Sequence, residues 1–429
     1  MPSQTEVITV AINDDVLVIG GGIAGLTSAI AAAKTGAQTR LVTHKQSTLG
    51  NASGLVDVLG YAPGEDTPLS DPFEAFEQLP DDHPYSKVGA DAVRDGLALF
   101  DDAVGDEYLG DHAETNALVP THAGSVKPTA RYPRSIAPGL ASDDRDTLLI
   151  GIDSVTGFDA PMAADHLDAV GVPFDVRGET VRFPKSFPQD ADVTRYARAL
   201  DRNEPTDDGP VRKVLAARVD DRLDGEGRVG FPAVLGDSRH ETVRTELQDR
   251  LGVDVFEVPT GPPSLPGLRL EDALYEAAED AGVRITSGNP IVDYDADNGR
   301  VEQVLLDRLG SEVPYKAQQY VLATGGAVGG GIESDRDVVT ESIFGLPVEH
   351  PDDRYEWFDD DVWGDHPYTK FGVSVDADLR PVAGDDVQFE NVRAAGSVIG
   401  GYDFATEKSG CGVSLATGYV AGNTAGELL

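Results

Sequence analysis

Val16-Leu-Val-Ile19 is an unbroken apolar run of the kind a buried parallel strand needs. Residues 23–35 then repeat apolar and small side chains at helical spacing, and Gly36 is placed to end that helix. Thr39-Arg-Leu-Val42 reads as the next strand, so the chain opens with a βαβ unit. Between roughly 60 and 140 the texture changes to Asp, Pro and Gly with short amphipathic pieces such as Val93 to Val104. From 140 to 260, strand-like runs such as Thr147 to Ile152 mix with helices predicted over 192–201 and 240–251. A second α/β stretch begins near Leu268, with a helix from Leu270 to Ala281 stopped by Gly282 and a strand at 283–286. Strands at 291–295 and 301–306 are joined through Asp297-Asn298-Gly299, whose Asn-Gly pair is a hairpin turn. Tyr320-Val-Leu-Ala323 is another buried strand, and the chain closes with a strand near 391–395 and a helix from about 412. There is no internal repeat. Pro259 to Pro266 is the one Pro-dense connector.

Charge narrows what this α/β chain can meet. Its 429 residues carry 75 Asp and Glu against 34 Lys and Arg, a formal net charge of -41. Such a field repels phosphate backbones and anionic lipid, which disfavours nucleic-acid binding and direct adsorption to a membrane. Only nine of the basic residues are Lys. An Asp-dense, Lys-poor surface fits a cytoplasm of molar salt, where the Debye length shrinks to ~3 Å and self-repulsion is tolerated. Cys411 is the only cysteine, so an intrachain disulfide, a CxxC pair and an iron–sulfur cluster held by this chain alone are all ruled out. The eight histidines show no HExxH-type pair, and no metal site is expected. Asp293, Asp295 and Asp297 do not make a calcium loop, because the glycine falls one place late and Val304 stands where the bidentate Glu should be. Residues 1–15 carry acids rather than a basic leader, so no signal peptide is expected. The uncharged stretch from Val16 to Ala33 is broken by Gly20, Gly21, Gly22 and Gly25, and so is not a membrane span.

Those glycines carry the chemistry. Gly20-x-Gly22-x-x-Gly25 follows a strand and opens a helix, the setting of a dinucleotide fingerprint. The first glycine allows the tight turn, the second admits a pyrophosphate, and the third lets helix and strand pack closely. The acid that would bind a ribose at the end of the second strand is replaced by Thr43, which cannot accept two hydroxyls as a carboxylate does. Val321-Leu-Ala-Thr324-Gly325-Gly326 ends a strand in the manner of the second flavin segment of glutathione-reductase-like folds. Asn391-Val-Arg-Ala-Ala-Gly396-Ser397-Val-Ile-Gly400-Gly401 resembles their third segment, with Ser397 where an acid usually follows the glycine. Gly410-Cys-Gly412 begins the last helix, whose amides are expected to stabilise negative charge on a reduced flavin. The predicted fold is therefore α/β. A Rossmann-like flavin-binding domain with a parallel sheet is assembled from 13–62, 264–332 and 388–429. An α+β cap is inserted at 63–263, with a return segment at 333–387.

Further segments carry a more specific resemblance. They are Asn51-Ala-Ser53-Gly54-Leu-Val-Asp57, Val119 to Thr129, Pro259 to Leu270, Arg336-Asp337 with Glu341 to Leu346, and Gly400-Gly-Tyr-Asp403. Together, from about Asp14 to Glu427, the chain resembles the B-subunit family of anaerobic glycerol-3-phosphate dehydrogenases, of halophilic archaeal type. The resemblance implies a cytoplasmic flavoprotein that works with two partners, a catalytic FAD subunit, designated A, and a membrane-bound iron–sulfur subunit, designated C. Through the latter it lies at the inner face of the membrane. The complex oxidises sn-glycerol 3-phosphate to dihydroxyacetone phosphate and passes electrons to quinone. The family is usually assigned FMN, whereas the pyrophosphate turn points to FAD; Ser53 and Gly54 join the cofactor-binding residues.

A phosphate-bearing substrate needs a cation. Lys127, Arg131 and Arg134, close together near His122, are expected to clamp it, with Arg336 and Lys408 as weaker candidates. No general base can be named, and no nucleophilic triad is present. The alternative reading is a self-sufficient flavin dehydrogenase or reductase resembling the fumarate reductases; an RNA-modifying flavin module conflicts with the charge.

Overall fold

The computed structural model describes residues 11–45, 47–111, 114–188, 191–362 and 364–429. The apolar run at Val16 ends a strand, Ile12–Ile19, which pairs in parallel with Thr39–Thr43 on one side and Ser311–Leu322 on the other. Arg284–Ser287 continues the sheet beyond Thr39–Thr43, again in parallel. Val16, Leu17 and Val18 have no exposed surface, so both faces of this strand are covered, as the absence of alternation predicts.

Strand Ser311–Leu322 serves two neighbours along one edge. Its first half pairs antiparallel with Arg300–Arg308, and Tyr320, Val321 and Leu322 pair in parallel with Val392–Ala394. The hairpin between Ile291–Asp297 and Arg300–Arg308 turns at Asn298 and Gly299, with φ of 48° and 72°. Two positive angles make the turn type that Asn-Gly favours.

Helices Ile23–Lys34 and Gly410–Glu427 lie side by side, and glycine allows the approach: a Cβ on Gly422 would sit 2.1 Å from the Ser28 carbonyl oxygen. Helix Pro84–Val104 packs on the same C-terminal helix through Val93, Leu97 and Phe100. The largest apolar core also takes in Ala75 and Val104 and, further on, Val339, Phe344, Val348 and Val373. Parts of the predicted cap (63–263) and return segment (333–387) therefore pack with the first sheet, because their apolar faces find that core.

A second sheet stands apart, in the spatial order Asp254–Val258, Arg228–Pro232, Thr147–Ile152, Val176–Val181. Every pairing in it is parallel. Parallel neighbours need long crossovers, and helices Ala160–Val170, Val193–Asp201, Val211–Asp220 and His240–Leu251 supply them. The expected cap thus combines this parallel sheet with antiparallel pairs, such as Ala117–Pro120 with Val126–Thr129. One buried ion pair ties the two sheets: Arg269, on helix Leu265–Asp280, reaches Glu257 of the second sheet at 2.7 Å. Burial works to raise the Glu257 carboxyl, but the Arg269 guanidinium outweighs it and holds the group below the usual carboxylate range.

Candidate flavin site

Three glycine bends meet at the start of helix Ile23–Lys34. At the first, Gly20 has φ of +117°, and a Cβ there would lie 2.1 Å from the Ala323 carbonyl oxygen. A Cβ on Gly25 would lie 1.8 Å from the Gly20 oxygen. Gly22 differs, since a side chain built on it would meet nothing within 4 Å. No side chain caps this helix and no acid stands in its first turn. Its leading amides thus face open space, the arrangement that receives an anion.

The second bend is bonded to the first, with the Ala323 amide donating to the Ile19 carbonyl at 2.8 Å. Here the loop 325–331 closes on itself through the Gly331 amide and Gly326 carbonyl, 3.1 Å apart. Thr324 Oγ1 is buried and has no partner among the described residues, so a ligand hydroxyl or phosphate oxygen would satisfy it. The third bend joins both others. The Gly326 amide donates to Ser397 Oγ at 3.1 Å, and a Cβ on Gly396 would lie 2.6 Å from Ala24 Cβ. Thr417 Oγ1 holds the Gly396 amide at 2.8 Å. Gly20, Gly22, Gly25, Thr324, Gly325, Gly326, Gly396 and Ser397 are thereby brought together, and an open helix start beside an orphaned hydroxyl fits the phosphate and ribityl portion of a flavin.

The end of strand Thr39–Thr43 is built differently. Thr43 Oγ1 donates to the Lys45 carbonyl at 3.0 Å and is hydrogen-bonded to the Tyr275 hydroxyl. That hydroxyl would stand 2.4 Å from a Cβ on Gly21. Tyr275 therefore packs on the strand end where the acid of a dinucleotide fingerprint would bind a ribose. Sequence reading missed Tyr275, which lies on a helix far from the fingerprint.

Several expected residues do other work. Gly400 and Gly401 pack against backbone, their amides donating to the carbonyls of Val373 at 3.2 Å and Lys370 at 3.1 Å. Ser53 Oγ accepts from the Leu55 amide at 3.4 Å, and the Gly54 carbonyl accepts from the Tyr108 hydroxyl at 2.7 Å. The amides at the last helix are not free for a flavin. Those of Cys411 and Gly412 donate to Asp57, one to its carboxylate at 2.9 Å and the other to its carbonyl at 2.7 Å. Burial, then the neighbouring Asp57 charge, pushes the Cys411 thiol up to about 12, so it stays a neutral packed group.

The expected phosphate clamp is not assembled either. Lys127 is held by Asp57 at 2.7 Å, Arg131 grips the Asp101 carboxylate through two nitrogens, and Arg134 donates to the Asp106 carbonyl. On so acidic a chain, nearby carboxylates and carbonyls claim these cations first. Lys408 stands beside Lys127, its amine lowered by burial and then by that like charge. Arg336 is exposed.

Beside Asp57 lies a buried polar group that sequence reading did not find. His83 Nδ1 accepts from the Tyr85 amide at 3.0 Å, leaving Nε2 to donate to Glu407 at 3.2 Å; Ser409 Oγ also donates to Glu407, at 2.9 Å. The Tyr402 hydroxyl is buried next to them without a partner among the described residues. Among the described residues, no cluster of three or more His, Cys, Asp or Glu is placed to hold a metal, and no helix is long and apolar enough to cross a membrane.

The family described as FAD binding domain matches residues 15–413. A Halobacterium salinarum protein, named as the probable B subunit of anaerobic glycerol-3-phosphate dehydrogenase, is 59% identical, covering 98% of this chain and 99% of its own. A Pectobacterium atrosepticum protein, named as the B subunit of the same dehydrogenase, is 32% identical over 94% and 96%. Among solved structures, the open conformation of a flavocytochrome c3 fumarate reductase is similar at 11% identity and a TM-score of 0.43, covering 97% of this chain and 78% of that one. The chain, a flavin-binding oxidoreductase subunit, therefore belongs to the FAD binding domain family and, within it, to the B-subunit family of anaerobic glycerol-3-phosphate dehydrogenases.

Proposed function

We propose that this chain is the flavin-carrying member of a complex that oxidises sn-glycerol 3-phosphate to dihydroxyacetone phosphate and passes the electrons to quinone. Its partners in this reading are a catalytic, FAD-bearing protein and a membrane-bound iron–sulfur protein, which holds the chain at the inner face of the membrane. The observation that carries the reading is the meeting of three remote glycine bends around one open helix start, in a chain 59% identical to a relative named for that dehydrogenase. A bound flavin supplies the hydride acceptor that a secondary alcohol needs. The Gly22 end of the helix takes the cofactor phosphate, Thr324 Oγ1 gains the partner it lacks, and Gly325, Gly326, Gly396 and Ser397 line the remainder. Because Thr43 replaces the ribose-binding acid and Tyr275 packs on that strand end, the cofactor assigned is FMN. Lys408, beside the Lys127–Asp57 pair, replaces the three-residue clamp as the cation for the substrate phosphate.

The test is anaerobic addition of glycerol 3-phosphate to the chain purified in molar salt, alone and with its FAD-bearing partner, while flavin absorbance is followed. Bleaching that requires the partner supports the relay role. Bleaching of the chain alone makes it a self-sufficient dehydrogenase, and no bleaching in either arm contradicts the assignment.

A further inference from the structure

The exposed aromatic side chains of the described residues are Tyr355, Phe358, Tyr368 and Phe404, and the turn Arg354–Trp357 that carries Tyr355 lies against the turn Pro367–Lys370 that carries Tyr368. Phe358 and Tyr368 lie with ring centroids 4.8 Å apart. Next to Tyr368, Thr369 Oγ1 donates to Asp403 at 3.0 Å, which brings Phe404 alongside. Val362, 77% exposed, joins the same turn through its carbonyl, which accepts from His366 Nε2 at 3.1 Å. This surface is braced to the third glycine bend, because the Gly401 amide bonds to Lys370 and the Val373 amide bonds to the Val398 carbonyl at 2.8 Å.

Exposed aromatics surrounded by polar groups are the composition of an interface centre and its rim. The rim here is acidic, with six carboxylates from Asp352 to Asp361. Those carboxylates would repel anionic lipid and would face their own copies in a symmetric dimer, which leaves a different, basic-rimmed chain. In molar salt charge is screened within ~3 Å, so the rim selects at contact range and apolar burial supplies the hold.

We infer that the surface carrying Tyr355, Phe358, Tyr368 and Phe404 docks a second, different protein chain whose contact area has an apolar centre and an Arg- and Lys-rich rim. This rests on the complex proposed above and adds where the chain meets it, at the surface braced to the Gly396–Gly401 bend.

The experiment is co-purification, in molar salt, of the tagged chain with its co-expressed FAD-bearing and iron–sulfur partners. The double variant Tyr355→Glu, Phe358→Glu lowers recovery of a partner at least about tenfold while flavin content and circular dichroism stay at wild-type values. Tyr368→Asp gives the same direction by an independent route, and Val170→Glu with Leu309→Glu, exposed elsewhere, leaves recovery unchanged. A wild-type complex that survives both aromatic variants overturns the docking face alone. A wild-type chain that captures neither partner overturns the complex and the face together. A homodimer, or flotation with anionic vesicles, that the same variants abolish would assign the face to another occupant and also overturn it.

Discussion

Two helices of this chain begin on glycine-rich turns, and only one of them is open. Helix Ile23–Lys34 and helix Gly410–Glu427 both lack a side-chain cap and both lack an acid in the first turn. At Gly22 the space beyond the amides is free. At Cys411 and Gly412 the amides are already taken by Asp57, whose carboxylate is in turn paired with Lys127. A glycine-rich helix start is thus a necessary sign of an anion site and not a sufficient one. What decides is whether a carboxylate from elsewhere in the chain has reached it first.

That comparison can be broken most sharply by adding the same side chain at both starts. Gly22→Val should cost at least about tenfold in bound flavin, since the side chain enters the phosphate approach, whereas Gly410→Val should keep its flavin. Flavin released per folded chain measures both. Asp57→Ala works in the opposite direction and opens the closed start. It removes the charge-assisted bond to the Cys411 amide and leaves Lys127 unpaired, so stability should fall by about 2 kcal/mol. Thermal unfolding should show that loss, and added sulfate should restore part of it by binding the vacated Cys411 amide. A smaller effect is expected at the third bend. Thr417→Val leaves the Gly396 amide without its acceptor, costing about 1 kcal/mol and a few-fold in flavin affinity by titration.

Legibility follows the same division. The open start and the two bends that meet it were readable because each is a local strand–glycine–helix or strand–glycine pattern. The buried parallel strand at the start of the chain was equally plain from its apolar run. The closure of the other start was not readable, because Asp57 and Cys411 are 354 positions apart. Lys127, Arg131 and Arg134 look like a clamp because they are close in sequence. The chain sends them to Asp57, Asp101 and Asp106 instead, in three different surroundings. Tyr275 escaped for a related reason, since nothing in its helical neighbourhood marks the strand end it covers. The second sheet's parallel order also lay hidden, because its short strands look the same whichever way their neighbours run.

A pH-dependent effect is expected at the loop that supports the second bend. Ser342 bonds to the Gly330 and Gly331 carbonyls, and next to it Glu341 is buried. Burial raises its carboxyl to about 7, against two amide bonds from Ile343 and Phe344. Between the ordinary carboxyl range and that value the folded chain keeps a proton that the unfolded chain has released. Stability should therefore decline as pH rises through this window and level off above it. Glu341→Gln should remove that slope in thermal unfolding measured across the window.

The central claim is that the three bends hold one flavin in this chain itself. The direct measurement is the amount and identity of flavin released by acid from the wild-type chain, purified in molar salt and reconstituted with a mixture of FMN and FAD. About one FMN per chain is predicted, from the single open helix start and the strand end on which Tyr275 packs. A folded chain that retains no flavin after reconstitution would contradict the account.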